Sequence, residues 1–243
     1  MSHQNRRVRE VIVSMTCEVM AVGRLRGVGA VRGRSLRSTG TRPTTRGSAM
    51  RLADTEYTSR PWRIHELAPD FELEDVWELP TPGGPDDLDH LVRSFAHGDG
   101  SAVRGGIVGF LFAARWRLGA IVGWDAPGTG VGTRVPSLRE RLPSDLADGP
   151  RGPDSTAVPF TSVYQTHDEW VSELANGTVH ALMHVGWVAD GDGGYRAQMA
   201  ALVRPNGRAG RLYMALIAPI RRTVVYPRMF RAIGRTWQAS DRS

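Results

Sequence analysis

The stretch DEWVSELANGTVHALMHVGWVADGDGGYRAQMAALVRP, residues 168–205, decides the fold, because apolar residues alternate with polar or small ones along much of it. Asn176-Gly177, between two alternating runs, is the strongest short signal for a β-hairpin. With these two residues as the loop, one register places apolar pairs on one face and charged pairs on the other. The predicted pairs are Leu174–Val179, Ser172–Ala181 and Trp170–Met183 on the apolar face, and Glu173–His180 and Glu169–His184 on the polar face. A slip of one residue would mix the two sets, so this sorting favours the register.

The next loop, residues 190–194, extends the apolar face. Closing it with Ala189 opposite Tyr195 predicts the pairs Trp187–Ala197, Val185–Met199 and Met183–Ala201. After residues 205–207 the same reasoning predicts a fourth strand, with the pairs Val203–Leu212, Ala201–Met214 and Met199–Leu216. The result is a four-stranded antiparallel meander with one apolar side. A short helix over residues 168–176 is the alternative, and it would undo the Glu–His pairs.

Elements on either side of the meander complete an α+β fold. Residues 71–79 alternate apolar and acidic side chains, as a half-buried strand does. Asp86 and Asp87 suit the start of a short helix through Phe95, a longer helix is predicted over about 103–123, and a helical turn over 137–142. A final helix is predicted from near Pro219, which suits a first turn, and Pro227 should kink or interrupt it. Helices are expected on one face of the sheet.

The positive charge of the chain belongs to its first residues. Residues 1–49 carry ten Arg and two Glu, a net of +8, and because the whole chain is +6, residues 50–243 carry −2. We therefore predict a basic leader over 1–49 and one domain over 50–243, which is not expected to bind nucleic acid. The leader is interpreted as disordered or as lying before a true start at Met50, and an organelle transit peptide is the alternative.

Composition and motifs exclude several kinds of chemistry. The chain has no Lys, and Cys17 of the leader is its single Cys. A Lys nucleophile, a thiolate zinc site and a structural disulfide are therefore excluded from the domain, and a cytoplasmic location fits. No nucleotide-binding, calcium-binding or serine-hydrolase motif is recognised, so no cofactor is predicted. The apolar run near residues 103–124 is too short and too charged to span a membrane, although peripheral membrane contact stays open.

Three segments carry a resemblance to a known family: Thr58–Glu66, Glu74–Trp77 and Tyr213–Pro219. They resemble an uncharacterised bacterial family, a domain of unknown function, and the likeness covers about residues 50–240. The layout of elements is similar to the helix-grip, or START-like, superfamily of lipid-transfer proteins and polyketide cyclases. That resemblance implies a curved antiparallel sheet around a long C-terminal helix, with a hydrophobic cavity for a small ligand between them.

Two sets of candidate site residues follow. The pairs Glu173–His180 and Glu169–His184 suit general acid–base work, although a solvated sheet face carrying charged pairs is the plainer interpretation. His180 and His184 would lie roughly 13 Å apart on a strand, too far to share a metal ion, so no metal site is predicted. The second set shares the apolar face, with ordinary core packing as the alternative interpretation. Its ligand candidates are Trp170, Met183, Trp187, Tyr195, Met199 and Met214, with Ala181, Ala197 and Ala201 between them.

These residues lead to one functional hypothesis and two alternatives. The leading hypothesis is binding of a small hydrophobic ligand between the sheet and the C-terminal helix. One alternative is a cyclase- or dehydratase-type enzyme that uses His180 or His184 with its Glu partner. The other is a protein-interaction module that uses Arg228, Arg231 and Arg235 on the last helix.

Overall fold

The computed structural model of the chain describes residues 49–97, 131, 135–156, 159–176 and 179–240. The residues Thr45–Ser243 form one compact unit. The predicted leader, apart from Ala49, and the predicted helix over 103–123 lie outside the described residues.

The described residues form an α+β fold around one six-stranded sheet. Its strands are β1 (Met50–Arg51), β2 (Glu72–Glu78), β3 (Thr161–Gln165), β4 (Glu169–Ala175), β5 (Val179–Ala189) and β6 (Tyr195–Pro205). They lie in the order β1-β2-β6-β5-β4-β3, and each neighbouring pair is antiparallel. The helices are α1 (Asp54–Thr58), α2 (Ile64–Leu67), α3 (Leu88–His97), α4 (Ser144–Ala147), α5 (Gly207–Ile220) and α6 (Tyr226–Ser240), with a 3-10 helix at Leu138–Arg141 and a π-helical segment at Arg221–Val225.

The β5–β6 register is the predicted one. Ala189 pairs with Tyr195, Trp187 with Ala197, and Val185 with Met199. The loop between the two strands is locally encoded, since Gly191 and Gly193 take positive φ angles that other residues rarely adopt. The carboxylate of Asp190 accepts the backbone N–H groups of Asp192 and Gly194 across the loop.

The predicted β4–β5 register is wrong by two residues. Ala175 pairs with His180 and Ser172 with Met183. The reason lies at Asn176, which belongs to the ladder because its backbone N–H donates to the carbonyl of Val179 at 2.9 Å. Gly177 lies outside the described residues. A shift of two keeps every side chain on its predicted face, because side chains alternate with a period of two.

The predicted fourth strand is also wrong, because residues 207–220 form the helix α5. Its Ala, Leu, Met and Arg residues favour a helix, and a short apolar run is compatible with either structure. The open edge of β6 pairs instead with β2, which confirms the strand predicted over 71–79. Met214 still contacts the sheet, packing with Val179 and Val203.

The C-terminal helical region begins earlier than predicted. Pro219 lies inside α5, near its end, rather than in a first turn. The helix widens into the π-helical segment Arg221–Val225 directly before Tyr226-Pro227. Pro227 has no N–H to donate, and its ring crowds the carbonyl four residues earlier, so a change of helical geometry at this point is expected. The predicted interruption therefore takes the form of a π-helical segment.

Two smaller predictions concern helix starts. The 3-10 helix Leu138–Arg141 confirms the turn predicted over 137–142, with Ser137 as its cap. The helix expected near Asp86 and Asp87 starts at Leu88. The carboxylate of Asp87 accepts the N–H of Gly84 at 2.7 Å, so it stabilises the turn before the helix.

Helices cover both faces of the sheet, which corrects the prediction of helices on one face. We call the first the α6 face; its side chains pack against α3 and α6 and include Trp77, Trp170, Val185, Trp187 and Met199. We call the second the His face; it packs against α1, α2, α4 and the 3-10 helix and includes Val76, Val171, Leu182, Ala200 and Leu202. The polar side chains predicted to face solvent therefore lie inside a second core.

Candidate functional site

The apolar candidates lie mainly in one layer on the α6 face. Trp170, Trp187 and Met199 are buried there, and Met183 and Tyr195 are half-buried against the same cluster. Met214 does not join them, since it reaches the sheet from α5 in a separate small cluster. Five of the six predicted ligand residues therefore come together.

Aromatic rings and α6 side chains build the layer over this face. Trp77 lies 5.6 Å from Tyr226 and 5.4 Å from Phe230 between ring centroids, and Trp187 lies 6.2 Å from Trp237. The indole N–H groups of Trp187 and Trp237 donate to the carbonyls of Gly84 and Pro82, both at 2.8 Å. A hydrogen-bonded indole presents a fixed apolar wall, so the rim of the layer is well oriented.

A cluster of ion pairs joins the π-helical segment to β2. The side chain of Asp75 is fully buried, and it accepts hydrogen bonds from Arg221 at 2.8 Å and Arg222 at 2.6 Å. Arg221 also bonds Glu74 at 2.7 Å. A β-bulge between Leu73 and Asp75 lets both neighbouring acids reach the same arginine. Two adjacent acids interrupt the alternation of this strand, and they are the signal in the sequence for this contact.

On the His face, Glu169 and His184 form the first buried polar pair. The ring Nε2 of His184 lies 3.1 Å from Oε2 of Glu169. Glu169 also accepts the hydroxyl of Tyr164 at 3.0 Å and the backbone N–H of Arg63 at 2.8 Å. Burial alone would raise the pKa of Glu169, but these hydrogen bonds, led by that of His184, hold it below the usual value. Burial lowers the pKa of His184, which therefore stays neutral.

Glu173 and His180 form the second pair. Nε2 of His180 lies 2.9 Å from Oε2 of Glu173, and both side chains are about 1–2% exposed. Glu173 also accepts the hydroxyl of Ser137 and the backbone N–H of Leu138. Burial would raise the pKa of Glu173, but the hydrogen bonds from His180, Leu138 and Ser137 hold it below the usual value. The carboxylate thus joins β4 to the start of the 3-10 helix.

Both predicted Glu–His pairs are formed, but not in the predicted way. In the observed ladder Glu173 lies opposite Leu182 and Glu169 opposite Gly186, so each Glu reaches its His diagonally. The interpretation of a solvated, charged face is wrong, because all four side chains are buried. In the described part of the chain, no three His, Cys, Asp or Glu side chains come together in a way that could hold a metal ion.

Tyr57 and Trp62 were not among the predicted site residues, yet their rings lie 5.3 and 5.2 Å from the ring of His184. Neither was Gly186, where a Cβ atom would lie 2.6 Å from Cζ2 of Trp62. A glycine inside an otherwise regular strand often marks a close approach, so Gly186 was the available signal. The signal does not identify what approaches.

The basic side chains of the last helix are exposed. Arg228, Arg231 and Arg235 lie along α6. Arg228 donates to the carbonyl of Val224 in the π-helical segment, and Arg231 donates to that of Pro227. Among the described helices, none combines the length and the apolar character needed to cross a membrane.

Comparison with known proteins places the chain in a family. The family model described as "Protein of unknown function (DUF2867)" matches residues 67–228, about two thirds of the chain. No curated protein sequence and no solved structure matches the chain. The match includes the strands β2 to β6, both Glu–His pairs and the π-helical segment. The chain therefore belongs to the DUF2867 family of proteins of unknown function.

Proposed function

We propose that this protein binds a small hydrophobic ligand between the α6 face of its sheet and the C-terminal helix, in a helix-grip, START-like arrangement. The observation that carries the proposal is the layer of Trp and Met side chains on that face beneath α6. Methionine adapts its shape to varied apolar partners, and the hydrogen-bonded indoles supply rigid walls.

Half-buried apolar side chains support a ligand at this place. Met183 of the sheet and Met229 and Ile233 of α6 pack against the cluster while keeping part of their surface exposed. The π-helical segment precedes α6 directly, and π-helical turns are frequent at functional sites. A ligand that displaced these flexible side chains would contact the aromatic layer without breaking the sheet.

The test is retention and stabilisation of a ligand by the full chain. We expect native mass spectrometry of protein purified from its own host to show added mass. We also expect a thermal shift with at least one of palmitate, indole and naphthalene. A ligand at one hundred times its dissociation constant stabilises by about 2.7 kcal/mol, which corresponds to a shift of about 5–10 °C for a chain of this size.

Two buried alanines on β6 provide a matched pair of variants. Ala197 lies on the α6 face and Ala200 on the His face, and both are fully buried. Each enlargement to Val overpacks a core and costs about 1–3 kcal/mol. Only Ala197→Val is expected to weaken the ligand-induced shift. No shift with any probe and no added mass, or an equal effect of both variants, would contradict the proposal.

A second candidate function is general acid–base catalysis of the cyclase or dehydratase type. The observation that favours it is the buried Glu169–His184 pair, in which a neutral imidazole is oriented by a carboxylate. Glu173 and His180 form a second buried pair, with Nε2 of His180 2.9 Å from Oε2 of Glu173. If the molecule retained on the purified protein is converted over time, His184→Ala and His180→Ala separate the two pairs. Unchanged conversion in both variants eliminates this function.

A further inference from the structure

Three neighbouring rings on the His face each carry a buried polar atom without a partner. The atoms are Nδ1 of His184, the hydroxyl of Tyr57 and Nε1 of Trp62, none of which has a hydrogen-bond partner in the described part of the chain. His184 is fully buried, and Tyr57 and Trp62 are 1% and 6% exposed. Leaving a buried donor or acceptor unpaired costs about 1–3 kcal/mol, so such atoms are rare. The rings of Tyr57 and Trp62 both contact that of His184, with centroids 5.3 and 5.2 Å away. A single partner that reached all three atoms would remove this cost.

The hydrogen-bonding capacity of these atoms defines the chemistry of that partner. Nε2 of His184 faces the carboxylate of Glu169, so the ring N–H is assigned to Nε2 and Nδ1 is left as an acceptor. Nε1 of Trp62 can only donate, and the hydroxyl of Tyr57 can do either. A complementary group must therefore donate one hydrogen bond and accept at least one other. Hydroxyl and primary amide groups do both.

We propose that His184, Tyr57 and Trp62 form a binding site for a compact neutral molecule that carries a hydroxyl or a primary amide. This site lies on the opposite face of the sheet from the proposed hydrophobic ligand. It shares Glu169 and His184 with the acid–base candidate but does not depend on turnover.

The surroundings favour a neutral ligand over a charged one. The negative charge of Glu169 lies beside the ring of His184, which repels an anion. The guanidinium of Arg63 is turned to Asp145, at 2.8 Å. That of Arg60 lies over the Trp62 ring, 5.9 Å from its centroid, in a cation–π contact. Because the hydrogen bonds to Glu169 already satisfy its carboxylate, a cation gains little there.

The segment that carries Tyr57 and Trp62 is suited to local opening. It consists of α1, with five residues, α2, with four, and the link between them. Helices this short are not stable alone, so this segment depends on its packing against the sheet. Local opening draws on segments of this kind, and it would admit a small molecule to His184 without disturbing the strands.

The test is a titration of the full chain, labelled with ¹⁵N-histidine, with acetamide and with ethylene glycol. NMR of the imidazole nitrogens reports whether Nδ1 of His184 accepts a hydrogen bond. We expect a saturable shift of that nitrogen with acetamide or glycol, and none with acetate or acetone. Acetate has the charge that the site disfavours, and acetone has no donor for Nδ1.

Conservative variants locate the site. Trp62→Phe and Tyr57→Phe each remove one polar group, and each is expected to weaken acetamide binding by about tenfold, as expected for one hydrogen bond. Trp77→Phe is the matched control, because Nε1 of Trp77 is also buried and unpartnered but lies on the α6 face. The Trp77→Phe variant should bind acetamide with the same affinity as the unaltered chain.

Three results would overturn the proposal. One is a shift that does not saturate with either probe or that acetate reproduces. Another is equal affinity in Trp62→Phe and Trp77→Phe. The third is occupancy of the site by a water molecule only. In that case Nδ1 already accepts a hydrogen bond in the ligand-free protein, and neither probe changes it. The selectivity among probes in the unaltered chain decides the matter even if a variant fails to fold.

Discussion

Gly186→Ala is expected to push Trp62 away from the sheet. A Cβ atom at position 186 would lie 2.6 and 2.7 Å from Cζ2 and Cη2 of Trp62, and 3.2 Å from Cε1 of His184. The first two distances are far inside ordinary contact. The indole is a rigid ring buried in the core of the His face, so it has to shift as a whole.

The size of the effect follows from two opposing terms. Overpacking of a buried site costs about 1–3 kcal/mol. Replacing Gly by Ala also restricts the unfolded chain, which returns about 0.4–1 kcal/mol. We expect a net loss of about 1–2 kcal/mol in the free energy of unfolding. For a chain of this length that lowers Tm by about 2–8 °C.

Urea unfolding of the full chain measures this loss, and a double-mutant cycle assigns it. Trp62→Phe removes Cζ2 and Cη2, so Gly186→Ala should cost much less in that background than alone. Gly84→Ala is the control, because its Cβ would meet only an oxygen of Asp87, at 3.5 Å. Equal costs of Gly186→Ala with and without the Trp62 change would refute the steric argument.

Three further predictions concern buried polar groups, each measured by urea unfolding. Asp75→Asn replaces the fully buried carboxylate that accepts hydrogen bonds from Arg221 and Arg222, and it should cost about 1.5–3 kcal/mol. Asp70→Asn, at a side chain that is 38% exposed, should cost less than about 1 kcal/mol, and similar losses would contradict this. Ser137→Ala removes the cap of the 3-10 helix and a hydrogen-bond donor to Glu173. It should lower the free energy of unfolding by about 1–2 kcal/mol, and no loss would show that the cap is dispensable. Burial lowers the pKa of His184, so in mild acid the unfolded chain binds a proton that the folded chain does not. At pH values below about 6.5, the free energy of unfolding should therefore decrease, by up to about 1.4 kcal/mol per pH unit. A flat profile down to pH 5 would contradict this.

Local signals predicted the centre of the sheet. The Gly-rich loop after Ala189 is closed by its own backbone conformation and by Asp190, so the β5–β6 register could be predicted residue by residue. The 3-10 helix was predictable for the same reason, since Ser137 caps it from the adjacent position. Such features depend on residues close together along the chain, and they form in the same way whatever the rest of the molecule does.

The β4–β5 register and the strand that neighbours β6 were harder to predict from the sequence. Asn176-Gly177 is a good hairpin signal, but the ladder runs one residue further and includes Asn176, so each predicted pair is displaced by two. The segment from Gly207 can pair as a strand or coil as a helix by its pattern alone. The neighbour of β6 was decided by β2, which lies more than one hundred residues earlier in the chain.

Alternation of side chains in the sequence by itself determined which residues share a face, and it therefore placed Glu169, Glu173, His180 and His184 on the same side of the sheet. Only the tertiary structure decided that this face is buried, because α1, α2 and the 3-10 helix that cover it come from distant parts of the chain. An alternating strand has one polar face whether water or other protein lies beyond it. The environment, and with it the pKa of His184 and the unpaired atoms around it, depends on what packs there.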